Sequence, residues 1–122
     1  CGTDIVQISR IADMAARHGR SLGRFFTEQE LAYCQRNDGT WRAESLAGIF
    51  AAKEAFAKAA GTGVRAPVLL PAIAVTHDEL GKPAFACSAV LHDWLTARGV
   101  QRMHVSISDE RTHCLAFVVF EG

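Results

Sequence analysis

The chain has 122 residues, of which 49% are hydrophobic and 21% are charged, and its formal net charge is zero. That length supports one domain, residues 1–122, with a substantial hydrophobic core. A neutral chain produces no overall field that would attract nucleic acid or a membrane surface. Any recognition driven by charge must therefore come from a local patch.

The cysteine pattern argues against a zinc site and against a disulfide framework. Cys1, Cys34, Cys87 and Cys114 are widely spaced, and none forms a C-x-x-C pair. A chain of this size does not need disulfides to fold, so we expect reduced thiols and a cytoplasmic location. The longest apolar run ends at Phe120 and is far shorter than the roughly 20 residues that cross a bilayer.

Local signals predict helices and short strands in alternation. Polar residues can cap three helices: Ser9, Thr27 in a capping box with Glu30, and Ser88. In chain order we predict a strand at 3–8, helices at 9–18, 28–36 and 42–60, strands at 72–76 and around 85, a helix at 88–99, and a hairpin of strands at 103–108 and 114–120. This order predicts an α+β domain with a long central helix over a mostly antiparallel sheet.

The long helix contains an unusually placed carboxylate. At 100° per residue, Ala47, Ala51 and Lys58 lie within about 60° of Glu54, so this side chain shares a helix face with small residues. A carboxylate on a covered face needs a partner, hydrogen bonds or a metal. Lys58 could provide an ordinary salt bridge worth about 0.3–0.5 kcal/mol. On helix statistics alone, that salt bridge is the preferred interpretation.

A second carboxylate, Asp4, falls inside an otherwise apolar strand, where aspartate is disfavoured. Alone it could simply cap or turn the chain. Two acidic side chains with lysines nearby would instead suit a hard cation and a phosphate. Mg²⁺ takes one or two protein carboxylates and completes its shell with water and phosphate oxygens. The sequence leaves open whether Asp4 and Glu54 meet.

Five segments, in this order, carry a family resemblance: GTDIVQISRI, FFTEQEL, LAGIFAAKEAFAKAAGTG, DELGKP and HVSIS. Over essentially the whole chain, the sequence resembles the holo-acyl-carrier-protein synthases, the small bacterial phosphopantetheinyl transferases. The resemblance implies their fold and the transfer of 4′-phosphopantetheine from coenzyme A to a serine of acyl carrier protein, in fatty acid biosynthesis. It also implies a homotrimer with active sites between subunits.

The resemblance further implies roles for individual residues. Asp4 and Glu54 match the carboxylates that hold Mg²⁺, and Lys58 matches the lysine that approaches the diphosphate of coenzyme A. His104 and Ser106 of the HVSIS strand would reach the coenzyme A of a neighbouring subunit. Glu54, acting through a water, is the first candidate for the general base, and His104 is the second.

One loop and one substitution complete the expected nucleotide site. The residues that match the family's GTG loop are Gly61, Thr62 and Gly63. This loop would let the backbone approach the nucleotide or the pantetheine. Many family members carry an arginine, associated with phosphate contacts, where this chain has Ile49. We therefore expect Arg42 or Lys53 to hold the 3′-phosphate instead.

A basic segment offers a surface for a protein partner. Its charged residues are Arg10, Arg17, His18, Arg20 and Arg24, against a single Asp13. On a helical wheel Arg10, Met14 and Arg17 share one face, whereas His18 lies on the face suited to the core. A cationic face with a methionine suits an acidic amphipathic helix. By resemblance, Arg10, Arg17 and Arg20 fall where family members contact acyl carrier protein; the alternative is a solvated basic helix.

Two other classes of protein remain open. A nucleotide- or nucleic-acid-binding module could use the basic segment, but aromatic stacking residues are lacking near it. A metal-free structural trimer would leave Asp4 and Glu54 as a satisfied pair. Mg²⁺ with coenzyme A should raise the melting temperature only of a protein that binds them.

Overall fold

The structure is a computed structural model that describes residues 1–17 and 19–122. Its elements are β1 Gly2–Gln7, α1 Ile8–Arg17, α2 Glu28–Cys34, α3 Ala43–Ala60, β2 Ile73–His77, β3 Pro83–Cys87, α4 Ala89–Ala97, β4 Arg102–Asp109 and β5 His113–Glu121, with 3₁₀ turns at Gly19–Arg24 and Leu70–Ala72. This is the predicted order of helices and strands. Within the described ranges, no helix combines the length and the apolar character needed to cross a membrane.

Two of the three predicted helix caps are present. The Glu30 amide donates to Thr27 Oγ1 at 3.2 Å, and the Thr27 amide donates to Glu30 Oε1 at 2.8 Å, which completes the capping box. Ser88 Oγ accepts from a backbone amide in the first turn of α4 at 3.3 Å. The predicted cap at Ser9 is wrong, because α1 already begins at Ile8 and Ser9 lies inside the helix.

The strands form two antiparallel sheets. β5 lies between β1 and β4 in a three-stranded sheet, and β2 pairs with β3 in a separate hairpin. Asp4 is opposite Ala116, which is opposite Ile107, so these residues form one row across the sheet. Because successive side chains alternate between faces, the next row, with Ile5 and Leu115, points to the other face.

The central helix α3 packs on one face of the three-stranded sheet, which we call the inner face. Gly2 permits this contact, because a Cβ atom there would overlap the Ala55 carbonyl oxygen and lie 2.6 Å from the Ala59 amide nitrogen. The close approach holds β1 against the C-terminal half of α3. That half carries Glu54 and Lys58.

The opposite, outer face of this sheet is markedly apolar and exposed. Ile5, Leu115 and Phe117 are 64%, 44% and 42% exposed. His104 and Ser106 lie on the same outer face, since their neighbours along β4 turn inwards. Exposed apolar side chains grouped in this way are typical of interaction sites.

Candidate active site

Asp4 and Glu54 come together where β1 runs against α3. Burial raises the pKa of Glu54 above its ordinary value, and the negative charge of Asp4 raises it further. The positive charges of Lys58 and Arg10 act in the opposite direction. Four charged side chains from β1, α1 and α3 therefore share one electrostatic environment, which sequence spacing could not establish.

Lys58 pairs across the two elements instead of along its own helix. Its Nζ lies 3.1 Å from Asp4 Oδ1, and the two side chains are 56% and 16% exposed. Among the described residues no ion pair joins Lys58 to Glu54, so the salt bridge favoured by helix statistics is wrong. An ammonium group has three N–H donors, and contact with Asp4 uses one. The exposed Lys58 head can contact a further anion.

The carboxylates of Asp4 and Glu54 are suitable ligands for a hard divalent cation. Asp4 and Glu54 offer carboxylate oxygens from two packed elements, and a cation between them would offset both the burial of Glu54 and the repulsion between them. Among the described residues, no group of three or more histidine, cysteine or acidic side chains is arranged to hold a metal ion, so two protein carboxylates are the most this site offers. Water and substrate oxygens would complete the shell, as Mg²⁺ prefers.

Lys53 lies outside this site, although it precedes Glu54 in sequence. Its side chain is fully buried, and Nζ donates to Glu30 Oε1 at 2.5 Å, to the Phe25 carbonyl at 2.8 Å and to the Leu70 carbonyl at 2.9 Å. All three donors are therefore satisfied inside the protein. The expectation that Lys53 binds the 3′-phosphate is wrong, because the ammonium group cannot reach a ligand.

The loop after α3 closes the helix with left-handed glycines. Gly61 and Gly63 have φ of 81° and 67°, and their amides donate to the carbonyls of Lys58 and Ala57 at 3.1 and 3.3 Å. A Cβ atom at either glycine would meet nothing within 4 Å, so the loop surface is open. Thr62 Oγ1 donates to the Gly63 carbonyl at 2.8 Å. The loop thus stands open beside Lys58.

His104 and Ser106 are separated from the carboxylate pair by the sheet itself. Asp4 points to the inner face, whereas His104 and Ser106 point to the outer face. The same outer face holds a cluster that sequence reasoning missed: Glu121 Oε1 lies 3.0 Å from His104 Nε2 and 3.2 Å from Arg102 Nε. The cluster could be predicted only from the pairing of the two strands, which places Arg102 directly opposite Glu121.

The basic surface on and after α1 adjoins the carboxylate pair. Its predicted members are three exposed arginines and one half-buried methionine: Arg10, Arg17, Arg20 and Met14. Ile11 and Ala15 turn into the core, as the helical wheel predicts. Because the charge of Arg10 acts on Glu54, this surface extends from the carboxylate pair along α1. His18, expected on the core face, lies outside the described residues.

With this geometry in place, comparisons with known proteins identify the family. The profile of the 4′-phosphopantetheinyl transferase superfamily matches residues 1–118. A holo-[acyl-carrier-protein] synthase of Laribacter hongkongensis is 70% identical to this chain, over 99% of it and 96% of the relative. This chain belongs to the 4′-phosphopantetheinyl transferase superfamily. A second relative, from Dechloromonas aromatica, is 50% identical over 98% of this chain and 94% of its own length.

Solved structures agree with this family assignment. The crystal structure of the Neisseria meningitidis synthase has a TM-score of 0.88 at 43% identity and covers 99% of this chain and 96% of its own. The Helicobacter pylori synthase, solved in complex with coenzyme A, has a TM-score of 0.84 at 28% identity, with 98% of both chains covered. The predicted family and the α+β fold are confirmed.

The residue at the position of the family's arginine, Ile49, lies in the core and cannot contact a phosphate. Ile49 is 1% exposed and packs in the core. Arg42 stands at the N-terminal end of α3, where its guanidinium donates to the carbonyls of Tyr33 and Gln35 at 3.2 and 3.4 Å. From position 42 to position 54 the helix rises about 18 Å. Arg42 is therefore too far away to contact a diphosphate held beside Glu54 of its own chain, and its contact with the 3′-phosphate, which lies on the ribose away from the diphosphate, stays a prediction.

Proposed function

We propose that this chain transfers the 4′-phosphopantetheine group of coenzyme A to a serine of apo-acyl carrier protein, giving holo-acyl carrier protein and 3′,5′-ADP, a step of fatty acid biosynthesis. The observation that carries the proposal is the meeting of Asp4, Glu54 and Lys58 between β1 and α3 in a member of this family. Relatives named as holo-[acyl-carrier-protein] synthases support it, as does the Bacillus anthracis synthase solved in complex with CoA (3′,5′-ADP).

In this proposal Asp4 and Glu54 would hold Mg²⁺, which would stabilise negative charge on the phosphoryl oxygens. Lys58 adds a positive charge at the same place, because its Nζ already lies beside Asp4. Charge grows on the diphosphate as the carrier serine attacks the phosphorus and 3′,5′-ADP leaves. Lys58 would therefore stabilise the transition state more than the ground state. Positioning would supply much of the remaining rate enhancement.

Glu54 is the first candidate for the general base, acting through a water. A water held by Glu54 would take the proton of the serine hydroxyl as the serine oxygen attacks the phosphorus. His104 is the second candidate. It would act on a substrate held by another chain, because it lies on the outer face of its own sheet.

We propose that the chain forms a homotrimer with active sites between subunits. The exposed apolar outer face of the three-stranded sheet supports an interface there. A ligand held by Asp4 could meet His104 or Ser106 only from a neighbouring chain, since they point to opposite faces. His104 also lines a cleft of about 220 Å³ with Lys82, which adds a positive charge suited to a phosphate.

The remaining parts of the proposed substrate site border the carboxylate pair. The open loop of Gly61, Thr62 and Gly63 would face the nucleotide or pantetheine. The basic surface on α1 would receive the acidic acyl carrier protein and bring its serine to the site, because the charge of Arg10 acts on Glu54. The four cysteines are free, which supports the proposed cytoplasmic location.

The decisive experiment is to incubate the protein with Mg²⁺, coenzyme A and an apo-acyl carrier protein, and then to weigh the carrier by mass spectrometry. We expect a gain of one phosphopantetheine, abolished by chelation and by Glu54→Ala. The matched control is Asp93→Ala, which removes an acidic side chain on α4 that is 85% exposed and should leave transfer unchanged. Absence of any mass gain across several carriers would refute the proposal.

A further inference from the structure

Arg102 and Glu121 form a cluster with His104 at the open end of the β4–β5 hairpin, and neither of these two residues has a role described so far. Arg102 and Glu121 are directly opposite each other, and His104 lies two residues further along β4, on the same outer face. Diagonal neighbours of this kind are within reach of long side chains. Glu121 Oε1 is 3.0 Å from His104 Nε2 and 3.2 Å from Arg102 Nε. One carboxylate oxygen thus bridges a histidine and an arginine.

This contact determines which nitrogen of His104 carries a proton. An ionised carboxylate can only accept hydrogen bonds, so the contact with Glu121 requires the proton on Nε2. Nδ1 is then the nitrogen left to meet a ligand, and in the neutral imidazole it carries the lone pair. A carboxylate that orients a catalytic imidazole in catalytic triads acts by the same logic.

The register of the hairpin fixes the main chain of Glu121, and two side chains contact its carboxylate. His104 and Glu121 are about half exposed, and an isolated pair of this kind would be held weakly. Two further contacts reduce its freedom: Arg102 Nε lies 3.2 Å from the same oxygen as an ion pair, and the Gln101 amide donates to the Glu121 carbonyl at 2.8 Å. The position of Glu121 therefore follows from the register of the hairpin.

We propose that Glu121 is a positioning residue for His104: it holds the proton on Nε2 and orients the ring so that Nδ1 faces the transfer site of a neighbouring subunit. The inference rests on the proposed function, in which His104 acts on a substrate bound by another chain. A lone pair on Nδ1 is what the second candidate for the general base requires. Arg102 supports the arrangement by holding Glu121.

The test is a double-mutant cycle in the complete protein, measured with Mg²⁺, coenzyme A and apo-acyl carrier protein. Glu121→Ala should lower kcat about tenfold, a part of the ~100-fold or more that a positioned proton-transfer group contributes, and leave the KM for coenzyme A within about twofold. Glu121→Gln should keep most of the activity, because the amide oxygen still accepts from Nε2. In a His104→Ala background, Glu121→Ala should have no further effect.

The outcomes separate this inference from the proposed function. Full activity of Glu121→Ala together with loss of activity in His104→Ala would overturn the positioning role and leave the role of His104 intact. Full activity of His104→Ala would overturn both the positioning role of Glu121 and the proposed role of His104. An equal loss on Glu121→Ala with and without His104 would show that Glu121 acts by another route. The matched control is Glu110→Ala, which removes a carboxylate 3.7 Å from His113 on the same hairpin and should change nothing.

Protein stability is checked in the same variants. Thermal unfolding followed by circular dichroism should give similar melting temperatures for Glu121→Ala, Glu121→Gln and Glu110→Ala. If Glu121→Ala alone is unstable, the Glu121→Gln variant still decides the question. A well-folded Glu121→Gln variant that shows the full loss of kcat expected for Glu121→Ala would contradict the inference, because its amide oxygen still accepts from Nε2.

Discussion

Two lysine–carboxylate pairs are anchored on α3, and they differ in what they leave for a ligand. Lys53 and Glu30 are 0% and 1% exposed, and every donor of the Lys53 ammonium has an acceptor in the protein. Lys58 and Asp4 are 56% and 16% exposed and share one contact of 3.1 Å. The comparison shows that a charge is available for chemistry only where the fold leaves it partly unsatisfied.

The two pairs also have different structural neighbours. Glu30 accepts from Lys53 and from the Thr27 amide with one oxygen, and from the Val75 amide at 2.7 Å with the other. This network joins α2, α3 and β2. The open pair instead lies next to Glu54, whose pKa is raised by burial and by Asp4. One face of α3 therefore holds the fold together, and an adjacent face is left charged for a cation and a phosphate.

Breaking the buried pair should have the largest effect on stability. Lys53→Met leaves the Glu30 carboxylate buried without its counterion, so we expect a loss of about 3–5 kcal/mol in the free energy of unfolding. Urea denaturation followed by circular dichroism measures it. The matched control, Lys58→Met, breaks the exposed pair and should cost less than about 1 kcal/mol. Equal losses would mean that the two pairs do not differ as described.

Substitution in the open site should have the opposite balance of effects. Glu54→Gln should lower the rate of transfer about 100-fold or more, because charge on the phosphoryl oxygens would lose several kcal/mol of stabilisation. The melting temperature should not fall. The comparison is Glu30→Gln, which should reduce stability but keep most of the activity per folded molecule. Mass spectrometry of the carrier and thermal unfolding separate the two outcomes.

The sequence predicted the features that follow from local rules, and the fold through the family pattern, and it failed where distant segments decide. Capping boxes depend on residues three positions apart, so Thr27 and Glu30 were found correctly. Lys53 and Lys58 look alike in sequence. The carbonyls that satisfy Lys53 belong to residues 28 and 17 positions away, which only the folded chain brings together. The pairing of Glu121 with His104 likewise needed the strand register.

Charge reversal on α1 should test how far the open site extends. Arg17→Glu should raise the KM for acyl carrier protein about tenfold, since each 1.4 kcal/mol changes affinity tenfold, and should leave coenzyme A binding unchanged. Arg10→Glu should weaken both, because the charge of Arg10 also acts on Glu54. Arg111→Glu, on the β4–β5 turn, is the matched control. Equal effects of the Arg17 and Arg10 variants on coenzyme A binding would contradict this division.

The smallest expected effect is a pH dependence of stability that arises at Glu54. Its pKa in the folded protein lies above the ordinary value of 4.5, so between these two values the folded state binds more protons than the unfolded state. Stability from this group therefore falls as the pH rises through that window. In a chelating buffer, Glu54→Gln should be more stable than the native protein at pH 7, and the difference should shrink as the pH falls and vanish below pH 4.5.

Two exposed carboxylates make the opposite contribution, but they do not affect this comparison. Hydrogen bonds from Thr40 and Thr112 lower the pKa values of Asp38 and Glu110, so their contributions are lost as the pH falls. Both groups are present in the native protein and in Glu54→Gln, so they cancel in the difference. Adding Mg²⁺ should reduce the difference in stability at pH 7, because a cation between Asp4 and Glu54 would offset the same electrostatic penalty that Glu54→Gln removes. A difference in stability between the two proteins that is independent of both pH and Mg²⁺ would contradict the view that Glu54 carries an unsatisfied charge. The open site would then resemble the buried pair, in which every charge has a partner.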